Sequence, residues 1–101
     1  MLIKRVMFHG DSLDRLRDFP EGPRREAGYE LYQVQSGRDP SDWKAMSTIG
    51  SGVREIRIGD VVGAYRVIYI ASFADAVHVL HAFERKTRKT ARGDMSLRRL
   101  D

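Results

Sequence analysis

Seven side chains in the second half of the sequence have the types and spacing for work on an anion: Glu55, Arg57, Arg66, His78, His81, Lys86 and Lys89. Side chains two apart on a strand share a face, so Glu55 and Arg57 look the same way. Arg66 shares one face of an apolar run with Ile68 and Ile70, while Tyr65, Val67 and Tyr69 take the other. Two apolar faces mark a central strand, and a guanidinium there is costly unless partnered. An ion pair with Glu55 across the hairpin is the purely structural solution. An arginine held ready for phosphate, with Glu55 orienting it, is the functional one. Both can hold at once, because guanidinium geometry serves carboxylate and phosphate alike. His81 closes the next run, either as a packed residue or as a proton-transfer group. The run Glu84–Thr90 is either a solvated face or a phosphate contact.

Other chemistries lack their residues. There is no glycine-rich nucleotide fingerprint, His9, His78 and His81 have no metal-ligand spacing, and no serine lies in a strand–turn–helix elbow. Cysteine is absent, which excludes thiolate chemistry and fits a reducing compartment. No metal and no cofactor are expected.

Three β-branched runs must position these groups: Val53–Ile58, Ala64–Ala71 and Val77–Phe83. Gly59-Asp60 and Gly63 punctuate the first gap and Asp75 the second. Gaps this short predict an antiparallel meander. Upstream, Leu2–Phe8 suits a first strand paired with that meander. Asp11 or Ser12 can accept helix amides, opening a short helix through Leu13 and Leu16 that ends at Phe19-Pro20. Pro23 fits the first turn of a second helix running to about Gln35, with Ala27, Leu31 and Val34 as its buried stripe and Gly37 beyond its end. Gly28 inside that helix costs about 1 kcal/mol against Ala, so close packing is expected there. Arg38–Ser51 reads as a connector whose Trp43 is a lid on the core or a base-stacking platform. A last short helix is expected at Met95–Leu100. The fold class is α+β: two N-terminal helices on a small antiparallel sheet, in the order β-α-α-β-β-β-(short α), as one domain over residues 1–101.

The length of 101 residues allows one modest core. The composition, 42% hydrophobic and 32% charged, is that of a globular chain. Positive charge is concentrated at one end. Residues 85–101 carry seven Lys/Arg against two Asp, a net +5, and residues 1–84 carry 11 against 12, a net −1. Such a patch points to a polyanion, nucleic acid above all, or to a solvated tail. No apolar run reaches membrane length, and Met1–Gly10 is too short and polar for a signal peptide. A cytoplasmic protein is expected.

Five fragments together resemble the HigB-like, phage-derived branch of the RelE/ParE toxin superfamily: FHGDSLDRLRDFP, RREAGYELYQVQSG, DPSDWKAMSTIGSGVREIRI, GAYRVIYIA and HVLHAFERKTRKT. The resemblance implies a RelE-like fold and the toxin of a type II toxin–antitoxin pair. It implies a metal-independent endoribonuclease cutting mRNA on the translating ribosome, neutralised by a HigA-like antitoxin with a helix-turn-helix domain. By position, Arg66 in Tyr65-Arg66 matches the arginine used on the scissile phosphate, Arg57 a basic position on the preceding strand, and Lys86 a basic residue after the last strand. Glu55 stands where members carry lysine, and no tyrosine occupies the last helix, where Arg92 is nearest. The expected catalytic set is Arg66, Arg57, Glu55, Lys86 and His81, with Arg54, Arg85, Arg88, Lys89 and Arg92 as RNA contacts. Two other classes compete: a non-enzymatic ParE-like toxin acting on a protein such as DNA gyrase, and a phage-derived nucleic-acid-binding module.

Overall fold

In the computed structural model, which describes residues 3–59 and 63–85, the chain runs β1 (Arg5–Phe8), α1 (Ser12–Arg17), α2 (Glu21–Gln35), β2 (Trp43–Ala45), β3 (Val53–Gly59), β4 (Ala64–Ile70) and β5 (Ala76–Arg85). The three hydrophobic runs are β3, β4 and β5, paired antiparallel in sequence, as their short gaps require. The expected helix Met95–Leu100 lies outside the described residues.

The sheet order is β1-β5-β4-β3-β2, which makes the arginine-bearing β4 the middle strand of five. Two expectations need correction. The sheet is mixed, because β1 pairs with β5 in parallel. A parallel neighbour needs a long connection, and here it consists of both helices and three strands. The presumed connector also contains β2, which pairs antiparallel with β3. Three residues are too few to show a period-2 pattern.

Both helices pack on one face of the sheet. Leu16 and Phe19 join the α2 stripe of Ala27, Leu31 and Val34 against Ile56, Ile58, Tyr65, Val67, Tyr69, Val77 and Val79. The Phe19 ring meets that of Tyr65 at 4.9 Å between centroids, tilted by 49°. Alternation sends Val53, Glu55, Arg57, Arg66, Ile68 and Ile70 to the opposite face, where no described helix lies.

The start of α1 departs from expectation. Neither Asp11 nor Ser12 caps its amides with a side chain. The Asp11 carboxylate instead accepts from Arg15 Nε at 3.0 Å, and the buried Ser12 hydroxyl donates to the Val79 carbonyl at 3.3 Å. Ser12 therefore fastens α1 to β5.

The end of α2 is as its sequence demands. Gly37 has φ +86°, and its N–H donates to the Val34 carbonyl at 3.0 Å while Arg38 N–H reaches Gln33 at 2.9 Å. That paired closure requires a left-handed residue. Gly28 is different: it is exposed, and a Cβ there would meet nothing within 4 Å, so close packing does not explain it. The same substitution should then act with opposite signs. Gly28→Ala is expected to raise unfolding free energy by about 1 kcal/mol, and Gly37→Ala to lower it by about 1 kcal/mol. Urea denaturation of the two variants checks both.

Candidate anion site on the helix-free face

β3 and β4 are in a register that places Arg57 directly opposite Arg66 and Glu55 opposite Ile68. The two guanidinium groups flank one carboxylate. Glu55 Oε1 lies 3.5 Å from Arg57 Nε and 3.7 Å from Arg66 Nε. Neither approach makes a hydrogen bond: both Nε atoms are buried with no hydrogen-bond partner among the described residues. Arg66 is anchored by another donor, Nη1, which reaches the Tyr65 carbonyl at 3.0 Å. The Glu55 and Arg66 side chains are about nine-tenths buried, at 12% and 11% exposure, whereas Arg57 is 37% exposed. The expected ion pair across the hairpin is therefore present as close charge contact, with donor capacity left over.

Burial pushes the Arg66 guanidinium below its ordinary pKa, Glu55 opposes that shift, and the Arg85 and Arg57 charges add to it. Three arginines thus crowd one place. Arg85 ends β5 opposite Ala64, and Phe83 lies opposite Arg66. His81, opposite Ile68 on the same face, is exposed and stacks on Phe83 with centroids 5.2 Å apart and planes 25° from parallel. The two rings form a flat aromatic ledge beside Arg66. His81 is thus not a core residue.

Two contributors escaped the reading of the sequence because both come from the presumed connector. Lys44 in β2 is opposite Glu55 and so shares its face. Asp42 accepts the Arg57 N–H on its carbonyl at 2.9 Å, and its carboxylate charge acts on Arg66. The one available signal was the lysine itself, a residue that edge strands often carry.

Other candidates lie elsewhere. Arg54 points to the helix face, paired with Asp39 at 2.9 Å and set over the Trp43 ring at 3.9 Å from its centroid. Trp43 is thus a platform for an arginine at the sheet edge. His78 belongs to the far end, where its Nδ1 faces His9 Nε2 at 2.9 Å. Lys86, Arg88, Lys89 and Arg92 lie outside the described residues. Among the described residues no three His, Cys, Asp or Glu side chains are grouped to hold a metal ion, and no helix is long and apolar enough to cross a membrane.

The arrangement is that of a small α+β protein with a concentrated cationic site on the face of a five-stranded mixed sheet that carries no described helix. The family model for phage-derived Gp49-like proteins (DUF891) matches residues 14–99, so the chain belongs to that family. Neither a curated protein nor a solved structure gives a significant match.

Proposed function

We propose that this protein is the toxin of a type II toxin–antitoxin pair and cuts mRNA on the translating ribosome. The family is one associated with such toxins. The observation that carries the reading is the convergence of Arg57 and Arg66 from adjacent strands on a single carboxylate oxygen, with neither Nε–H hydrogen-bonded among the described residues. A phosphate oxygen taking the place of Glu55 Oε1 between them would accept from both guanidinium groups, and charge-assisted bonds of this kind are among the strongest available to a protein.

RNA supplies its own nucleophile. The 2′-oxygen attacks the adjacent phosphorus in line, its proton passes to a base, and the 5′-oxygen leaves and takes up a proton. The products are a 2′,3′-cyclic phosphate and a 5′-hydroxyl. Arg57 and Arg66 stabilise charge gathering on the phosphoryl oxygens, with Lys86 as a third cation. Glu55 orients or activates the 2′-hydroxyl. His81 assists, and its stack on Phe83 offers a surface for a base adjoining the scissile phosphate. An antitoxin with a helix-turn-helix domain completes the pair.

Incubating the purified protein with translating ribosomes and mapping mRNA ends tests this reading. Cuts inside translated frames bearing 5′-hydroxyl ends are expected. Intact mRNA beside inhibited DNA supercoiling would replace the nuclease with a toxin acting on a protein.

A further inference from the structure

On a regular strand His78 and His81 would point to opposite sides, because they are three residues apart. A β-bulge in β5 changes that. Tyr69 faces Val79 while Ile68 faces His81, so Leu80 is the extra residue. His78, opposite Ile70, and His81, opposite Ile68, therefore share the face that carries no described helix. Bulges disrupt ladder pairing and concentrate beside active sites, where they re-aim side chains. Here the bulge continues the ledge of His81 and Phe83 toward the other end of the sheet. His78 collects two further rings there. His9, just beyond β1, lies 5.1 Å from it between centroids, and Phe73 meets it edge-on at 5.5 Å and 82°.

These rings are held in place yet left outside the core. Phe73 is 54% exposed, and Lys4 Nζ ties down its loop by donating to the Ala71 and Phe73 carbonyls, both at 3.0 Å. His78 stands between His9, whose Nε2 is 2.9 Å from its Nδ1, and Asp75, whose Oδ1 is 3.8 Å from its Nε2. A further cation lies beyond them. Val6 and Phe8 pack against the core, so alternation sends Arg5 to the same side as His78, where it is exposed opposite Ala76. Along β5 the face thus carries arginines, a stacked ring pair, a second ring group and another arginine. Cations for a backbone interleaved with rings for bases are what a single nucleic-acid strand requires. We infer that an RNA strand runs along β5 from the phosphate site to a second base platform at Phe73, His78 and His9, with Arg5 on a phosphate there. His78 and Phe83 are about 16 Å apart along the strand, a span of a few extended nucleotides. The track rests on the proposed function, whose substrate strand it lengthens.

Calorimetric titration of the full chain with uncleavable 2′-O-methyl oligoadenylates tests the track, comparing a trinucleotide, too short to join the two ends, with an octanucleotide. The octanucleotide should bind more tightly. Phe73→Ala should weaken octanucleotide binding about tenfold, the scale of one lost base stack, while keeping the melting temperature and the affinity for the trinucleotide. Phe73→Trp should match or exceed the wild type, and Arg5→Gln should weaken the octanucleotide alone. Arg66→Ala should weaken both lengths. Equal affinity for the two lengths, undiminished octanucleotide binding in Phe73→Ala, or an equal loss of both lengths in that variant would overturn the track. Wild-type cutting of mRNA on ribosomes would then leave the nuclease reading in place. Intact mRNA in that reaction, beside octanucleotide binding that depends on Phe73, would keep the track and remove the nuclease.

Discussion

Arg66→Ala is expected to reduce mRNA cleavage by about two to three orders of magnitude, the usual cost of removing one preorganised donor from developing charge. Arg66 is suited to that role because the fold has already fixed it. It is buried in the middle strand and tied by one Nη to the Tyr65 carbonyl, and its Nε makes no hydrogen bond among the described residues. Little reorganisation remains when the phosphate arrives. His81→Ala should be milder and leave measurable cleavage, since an exposed imidazole stacked on Phe83 shares its work with solvent and with the RNA. Comparing rates of mRNA cutting for the two variants, with far-ultraviolet circular dichroism to confirm folding, orders the contributions. A harsher loss in His81→Ala would put proton transfer ahead of electrostatics.

The second large effect is on stability. Glu55→Ala should destabilise the fold by about 3 kcal/mol, because it removes the carboxylate paired with the buried Arg66. Arg57 and Arg85 then face Arg66 without that compensation, with Asp42 still opposing them. Arg57 can turn toward water, but Arg66 is held in the sheet, so most of the cost falls there. The double variant Glu55→Ala with Arg66→Ala should lose less than the single changes summed. Urea unfolding of all four proteins gives the coupling directly. Additive losses would mean that the 3.7 Å approach of Glu55 to Arg66 contributes nothing.

Much of this arrangement was legible in the sequence because period-2 alternation states which side chains share a face. Glu55 with Arg57, Arg66 with Ile68 and the centrality of β4 all follow from it. The stripe Ala27, Leu31, Val34 and the closure at Gly37 were equally plain, since helix periodicity and a left-handed terminus are local. What was hidden is non-local or short. The parallel pairing of β1 with β5 depends on the path of the intervening chain, which alternation does not encode. β2 is three residues long, so Asp42 and Lys44 passed as a connector although they complete the site. Arg54 shows the converse: one residue from Glu55, it faces the other way, and basic character alone had grouped it with the RNA contacts. Asp11 looked like a cap, yet an arginine four residues on competes for its carboxylate.

The central claim is that position, and not positive charge as such, makes the phosphate site. Mapping mRNA ends in a translating reaction with Arg57→Ala, Arg66→Ala and Arg25→Ala tests it most directly. Each variant removes one arginine, and Arg25 stands exposed on α2, paired with Glu21 four residues before it. The expected result is cleavage at the wild-type sites by Arg25→Ala and almost none by the other two. Equal loss in all three, or wild-type cutting by Arg57→Ala and Arg66→Ala, would contradict it.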